Sequence, residues 1–176
     1  MIDRYVVSTE DKKIKEISKK FGAEVIDRPI ELAKDSSPTI DVLVHVLNKM
    51  EPEFVPDIVV LLQPTSPIRR VGLIDECIKK FINSNADHLV TGFKCKHQPY
   101  GPDIKDKRQD VDGFFSTDGN VYVVRADLIK KGDFFGKKIE YFYTTQEENV
   151  DIDNIFDFWI AEKILEKKIK EINYVK

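Results

Sequence analysis

Two cysteines, Cys77 and Cys95, in 176 residues are too few for a disulfide framework and fit a reducing compartment. No apolar run approaches the roughly 20 residues that cross a bilayer, so no membrane span or membrane partner is expected. Neither sign of charge dominates. Lys+Arg 28 against Asp+Glu 31 leaves a net charge of −3, whereas a dedicated nucleic-acid binder carries a basic excess. The glycines are scattered: Gly72, Gly92, Gly101 and Gly113 stand alone, and no glycine-rich phosphate loop is present. His45, His88 and His97 have no zinc-ligand spacing with the cysteines, and His45, beside the apolar stripe of a helix, reads as structural. Residues Met1 to Val7 have neither the cationic start nor the apolar stretch of a signal peptide. A cytoplasmic protein is expected.

What is there suits a packed domain. Hydrophobic residues are 41% and aromatics 10%, enough for a core, and the length predicts a single domain over residues 1–176. Tyr5-Val6-Val7 reads as a strand that begins almost at the first residue. Ile14, Ile17 and Phe21 recur at helical spacing between Asp11 and Phe21, and Gly22 follows as a stop. Glu24-Val25-Ile26 is a short strand. Ser37 and Pro38 predict a helix start, with Ser37 as N-cap and Pro38 in the first helical position. Ile40, Leu43, Val44 and Leu47 form that helix's buried stripe.

Ile58 to Leu62 is apolar throughout, the pattern of a parallel strand covered on both faces. A helix from about Val71 to Phe81 and a strand at Leu89–Phe93 follow. Lys94 to Asp118 reads as polar and irregular. Asn120–Val124 and Ile139–Tyr143 read as strands. A long helix after Asp153 takes its apolar face from Phe156, Trp159, Ile160, Ile164 and Leu165. Strands alternating with helices predict an α/β fold with a mostly parallel sheet.

Ligands of open α/β sheets bind beyond the carboxyl ends of the strands. That rule selects Ser8-Thr9, Gln63 to Arg70 and the loop after Val124. In Gln63-Pro64-Thr65-Ser66-Pro67 two prolines flank two hydroxyls, so the loop is stiff, and Gln63 can face a cleft. Alternatively, Thr65 and Ser66 merely satisfy the turn's backbone. Asp151-Ile152-Asp153 places two carboxylates on one side of an extended segment, a pair that suits Mg2+ with phosphate. Alternatively, Asp153 caps the next helix and Asp151 is solvated.

In order along the chain, these segments resemble the acylneuraminate cytidylyltransferase family. The pattern runs through Val7-Ser8-Thr9-Glu10, Arg28-Pro29, Leu32-Ala33, Asp35 and the Leu61–Arg69 block. It continues with His97-Gln98-Pro99-Tyr100, Arg108-Gln109-Asp110 and Asp118-Gly119-Asn120-Val121-Tyr122. It closes with Val150-Asp151-Ile152-Asp153, Asp157 and Ala161-Glu162. The resemblance implies a doubly wound, Rossmann-like nucleotidyltransferase sheet with helices on both faces. It implies transfer of CMP from CTP to a nonulosonate sugar acid, with release of pyrophosphate and Mg2+ as cofactor. It implies Asp151 and Asp153 as metal ligands and, with Gln63, as catalytic residues. Gln63, Arg108, Tyr122, Phe134 and Phe135 would contact the sugar, and Arg28 and Thr39 the nucleotide.

The family's first strand and its phosphate-holding loop have no counterpart before Tyr5, so an N-terminally shortened domain is expected. The absent strand would lie between Tyr5–Ser8 and Ile58–Leu62. Asp118 stands where the family has asparagine, which predicts a negative charge near an anionic substrate. The resemblance implies a homodimer, which the short stretch from Pro99 to Arg108, part of the family's dimer arm, puts in doubt. Two other functions are a sugar- or nucleotide-binding remnant without catalysis and cytidylyl transfer to 3-deoxy-manno-octulosonate.

Overall fold

The computed structural model describes residues 1–97 and 111–174, with side chains up to residue 169. In chain order the elements are β1 (Val6–Thr9), α1 (Lys12–Lys20), β2 (Glu24–Asp27), α2 (Thr39–Met50), β3 (Ile58–Leu61) and α3 (Leu73–Ser84). Then come β4 (His88–Cys95), β5 (Phe114–Arg125), α4 (Ala126–Lys130), β6 (Ile139–Tyr143) and α5 (Ile155–Tyr174). The fold is α/β, as the alternation of patterns predicts. The described strands form two sheets. β1 and β2 pair in parallel, and a four-stranded sheet has the order β3-β5-β4-β6, with β4 and β6 parallel. β1 and β3, the expected neighbours of the family's further strand, do not pair with each other among the described residues.

The chain divides into two compact units, one of residues 1–59 and 124–138, the other of residues 60–123 and 139–176. In the first, α2 buries Leu43, Leu47 and Met50, and Ile26, Ala126 and Ile129 complete the core. The Ala126 amide donates to the Asp57 carbonyl at 3.0 Å, which fixes the start of α4. α1 forms because the Asp11 carboxylate accepts from the Ile14 amide at 2.8 Å. It packs mainly on the two short strands β1 and β2, and Ile14, Ile17 and Phe21 remain exposed.

The second unit buries Ile68, Leu73, Cys77, Ile78, Phe81, Leu89, Val90, Val121 and Val123. At roughly 1.5–3 kcal/mol for each fully buried large apolar side chain, this is its main source of stability.

Four expectations are corrected. Ser37 does not cap α2. Its hydroxyl donates to the Glu31 carbonyl and accepts from the Lys34 amide, a local turn that uses up the cap, and Pro38 precedes the first helical residue. β3 is half-buried along its whole length; among the described residues it ends its sheet, with one paired edge. Residues 114–118 are not irregular but the first half of β5. In α5 the inward positions are Ile160, Ala161 and Ile164, whereas Phe156 and Trp159 are exposed and stack on each other with centroids 6.0 Å apart.

Burial pushes the Cys77 thiol up to about 12, and its side chain is inaccessible. Cys77 is therefore expected not to react with Ellman's reagent at about pH 8 in the native protein, and to react fully in denaturant.

Candidate functional site

The loop that leaves β3 is built on the Gln63–Ser66 turn, whose Ser66 amide lies 3.3 Å from the Gln63 carbonyl. Ser66 and Ile68 are wholly buried, while Pro64 and Thr65 face water. Gln63 is half-buried at the strand's end. The hydroxyl of Ser66 is not spent on its own turn. It points to Asp151 Oδ1 at a long 3.4 Å, and the Thr65 carbonyl accepts from the Ile152 amide at 2.8 Å. The two motifs singled out in the sequence therefore meet. The Gln63–Pro67 loop and the Asp151–Asp153 segment lie side by side although about 85 residues separate them.

Arg69 closes the loop from below. Its Nε donates to the Asn120 carbonyl and its Nη2 to the Gln63 carbonyl, each at 2.9 Å. Burial lowers the proton affinity of this guanidinium, and the Asp118 carboxylate partly opposes that effect. Gly119 has φ of +70°, a conformation that favours glycine. A Cβ on Gly119 would overlap both Gln63 Oε1 and Ser66 Oγ, so the bare backbone is what lets the Gln63 amide lie there.

The Asp118 carboxylate is buried and points into the protein rather than into solvent. Its Oδ1 accepts from Thr91 Oγ1 at 2.6 Å and from the Asn120 amide at 3.0 Å, and its Oδ2 accepts from Thr144 Oγ1 at 2.5 Å. A charge withdrawn from water this far must be fully paired. Close by, Asn120 Nδ2 donates to the Glu148 carbonyl at 2.7 Å. Glu148, itself buried, accepts from the Thr145 amide and hydroxyl and from the Arg70 amide. These contacts fix the chain just before Asp151.

Asp151 and Asp153 are exposed and Ile152 between them is half-buried, the alternation of an extended segment. The cap of α5 is Asn154, whose Oδ1 accepts from the Phe156 amide at 2.8 Å and the Asp157 amide at 3.2 Å. The helix thus does not require the carboxylate of Asp153. Among the described residues no group of three or more His, Cys, Asp or Glu is placed to hold a metal. Two exposed carboxylates on an anchored turn nevertheless fit Mg2+, which takes one or two carboxylates and completes its shell with phosphate oxygens and water.

Tyr122, also in the second unit, is half-buried; its hydroxyl lies 3.1 Å from Thr117 Oγ1 and its ring meets His88 edge-on. The remaining predicted residues belong to the first unit or lie outside the described residues. Arg28 Nη2 donates to the Ser8 carbonyl at 2.5 Å, and its Nε is 3.5 Å from Glu10 Oε2. Thr39 is the exposed first residue of α2. Phe134 and Phe135 meet edge to face at 5.5 Å, on a turn in which Asp133 accepts from the Phe135 and Gly136 amides. Arg108 and the Gln98–Tyr100 segment lie outside the described residues.

The sequence alone assigns no site role to Thr91, Asn120, Thr144, Glu148 or Arg69. One signal was available: Thr145 and Glu148 form a capping box in three dimensions, and T-x-x-E is its sequence signature.

Two outcomes are expected. Asn154→Ala should cost about 1 kcal/mol in urea unfolding, whereas Asp153→Ala should stay within about 0.5 kcal/mol. Gly119→Ala should destabilise by about 1–2 kcal/mol, because alanine must adopt a positive φ and push back Gln63 and Ser66.

A family model described as cytidylyltransferase matches residues 1–173. N-acylneuraminate cytidylyltransferase A of Danio rerio is 26% identical over 173 residues, 89% of this chain. N-acylneuraminate cytidylyltransferase of Streptococcus agalactiae serotype III (strain NEM316) is 25% identical over 170 residues, 86% of this chain. The chain spans 40% of the length of each of these relatives. Among solved structures, a CMP:2-keto-3-deoxy-manno-octonic acid synthetase complexed with CTP superposes with a TM-score of 0.67 at 14% identity. That match covers 94% of this chain and 82% of the other. A 4-diphosphocytidyl-2C-methyl-D-erythritol synthase from Anaerococcus prevotii DSM 20548 gives 0.63 at 15%, with the same coverage of each chain. By the match over residues 1–173, the chain belongs to the cytidylyltransferase family.

Proposed function

We propose that the protein is a nucleotidyltransferase that joins CMP from CTP to a nonulosonate sugar acid and releases pyrophosphate. The observation that carries this reading is the meeting of the Gln63–Pro67 loop with the Asp151–Asp153 segment through Thr65, Ser66 and Ile152. The anomeric hydroxyl oxygen of the sugar attacks the α-phosphorus of CTP, and the bond to the β-phosphate oxygen breaks. Such chemistry asks the protein chiefly for positioning and charge. Gln63, an amide that both donates and accepts, orients the sugar. Tyr122, Phe134 and Phe135 offer aromatic surface to its apolar faces, and Arg108 offers a guanidinium to its carboxylate. Arg28 and Thr39 serve the nucleotide. Asp151 and Asp153 hold Mg2+, which when bound neutralises charge on the phosphates.

CTP and the sugar acid are the partners of this reading, and a homodimer with a cytoplasmic location is its setting. The reading has no place for a nucleic acid, and the net charge of −3 agrees with that. No helix among the described residues is long and apolar enough to cross a membrane. The likeness to the octonic acid synthetase favours 3-deoxy-manno-octulosonate as the second acceptor to test.

The test is turnover of labelled CTP with a panel of nonulosonates and 3-deoxy-manno-octulosonate. CMP-sugar should form with a nonulosonate, stop on chelation of divalent metal, and be lost in Asp151→Ala and Asp153→Ala, both of which stay folded. Product with 3-deoxy-manno-octulosonate alone would transfer the reading to that acceptor. CTP binding by calorimetry without turnover on any acceptor would overturn catalysis and leave a nucleotide-binding remnant.

A further inference from the structure

We infer that Arg69 is a positioning residue that sets the Gln63 side chain; the inference rests on Gln63 as the sugar-facing group. Three observations carry it. One edge of the Arg69 guanidinium bridges two main-chain carbonyls, Gln63 from the β3 loop and Asn120 from β5, each at 2.9 Å. Gly119, directly before Asn120, leaves open the space into which Gln63 Oε1 and Ser66 Oγ fit. Asn120 is fully buried and held by the Glu148 carbonyl through Nδ2 and by Asp118 through its amide.

The order of support is therefore explicit. The buried Asp118–Asn120–Glu148 group fixes the Asn120 carbonyl. Arg69 transmits that fixed point to the Gln63 carbonyl. Gly119 then limits where the Gln63 amide can lie. A carbonyl pinned at one residue restricts the backbone dihedrals that aim that residue's side chain. The planar fork of a guanidinium supplies two N–H groups in fixed relative directions, whereas a lysine ammonium is a point donor on a flexible stem and cannot hold both carbonyls in the same way. Arg69 in this role does not touch the substrate; it acts through Gln63.

The test combines kinetics with a readout that needs no turnover. Wild type, Arg69→Lys, Gln63→Ala and the double variant are compared in the full chain. In 15N-labelled protein without substrates, the Gln63 side-chain amide, identified by its loss in Gln63→Ala, should give two separated resonances. Arg69→Lys should move them toward the positions of a free glutamine amide while the thermal midpoint falls little. In kinetics, Arg69→Lys should lower kcat/KM for the sugar acid by roughly 10- to 100-fold, with the KM for CTP changed less than about twofold. In the Gln63→Ala background the same change should cost less than about twofold, because two residues acting through one contact are not additive.

Gln63 resonances unchanged in Arg69→Lys would overturn the inference. So would full additivity of the two variants, or a loss confined to the KM for CTP. If wild type turns over no acid sugar, the catalytic reading fails, and the resonances alone decide whether Arg69 holds Gln63.

Discussion

Asp118 carries a carboxylate that the fold keeps out of water, and hydrogen bonds from three segments around the candidate site satisfy it. An unpaired charge in that position would cost several kcal/mol. Three donors must therefore be present together: Thr91 on β4, the Asn120 amide within β5, and Thr144 just beyond β6. That requirement fixes where the chain leaves β6. Four residues later Glu148 repeats the device, accepting from Thr145 and from the Arg70 amide. The exposed Asp151 follows a segment already anchored twice.

The same interior hub serves the opposite loop. Asn120, held against Asp118 and Glu148, offers its carbonyl to Arg69, and Arg69 holds the Gln63 carbonyl. The two loops thus share one buried support. The proposed nucleotidyl transfer would draw its rate from placement and charge, to which a shared support under the two loops is suited. Asp151 and Asp153 are exposed, and the cap of α5 falls to Asn154; the Mg2+ proposed for the two carboxylates would need that access to solvent. In the first unit, Arg28 is engaged by the Ser8 carbonyl and Glu10, which sets its guanidinium at the end of β1.

Much of the fold could be read from periodicity. The α2 stripe of Leu43 and Leu47, the apolar Ile58–Leu61 strand and the alternation of strand and helix follow from spacing alone. The misreadings have local causes. Ser37 has the composition of a cap but meets a nearer partner at Glu31. Phe114 to Asp118 looks irregular because its pattern is broken by Ser116 and Thr117, yet pairing within the four-stranded sheet makes it strand. Phe156 and Trp159 look like core by spacing, but the helix turns Ile160, Ala161 and Ile164 inward. Of the candidate site, Gln63 is legible as a residue beyond a strand end, and Asp151 and Asp153 as a carboxylate pair on one side of an extended segment. Thr91, Thr144, Glu148 and Arg69 are not, because their partners lie far away in sequence.

The sequence by itself determined the α/β class, the family and the two motifs that carry the proposed chemistry, since these reside in local pattern and residue type. Tertiary structure alone decided that the motifs meet, that Asp118 faces inward, and that Asn154 rather than Asp153 caps α5. The physical reason is that burial and hydrogen-bond satisfaction are properties of the folded environment. A carboxylate's role depends on which donors surround it, and for Asp118 those donors come from β4, from β5 and from the segment beyond β6.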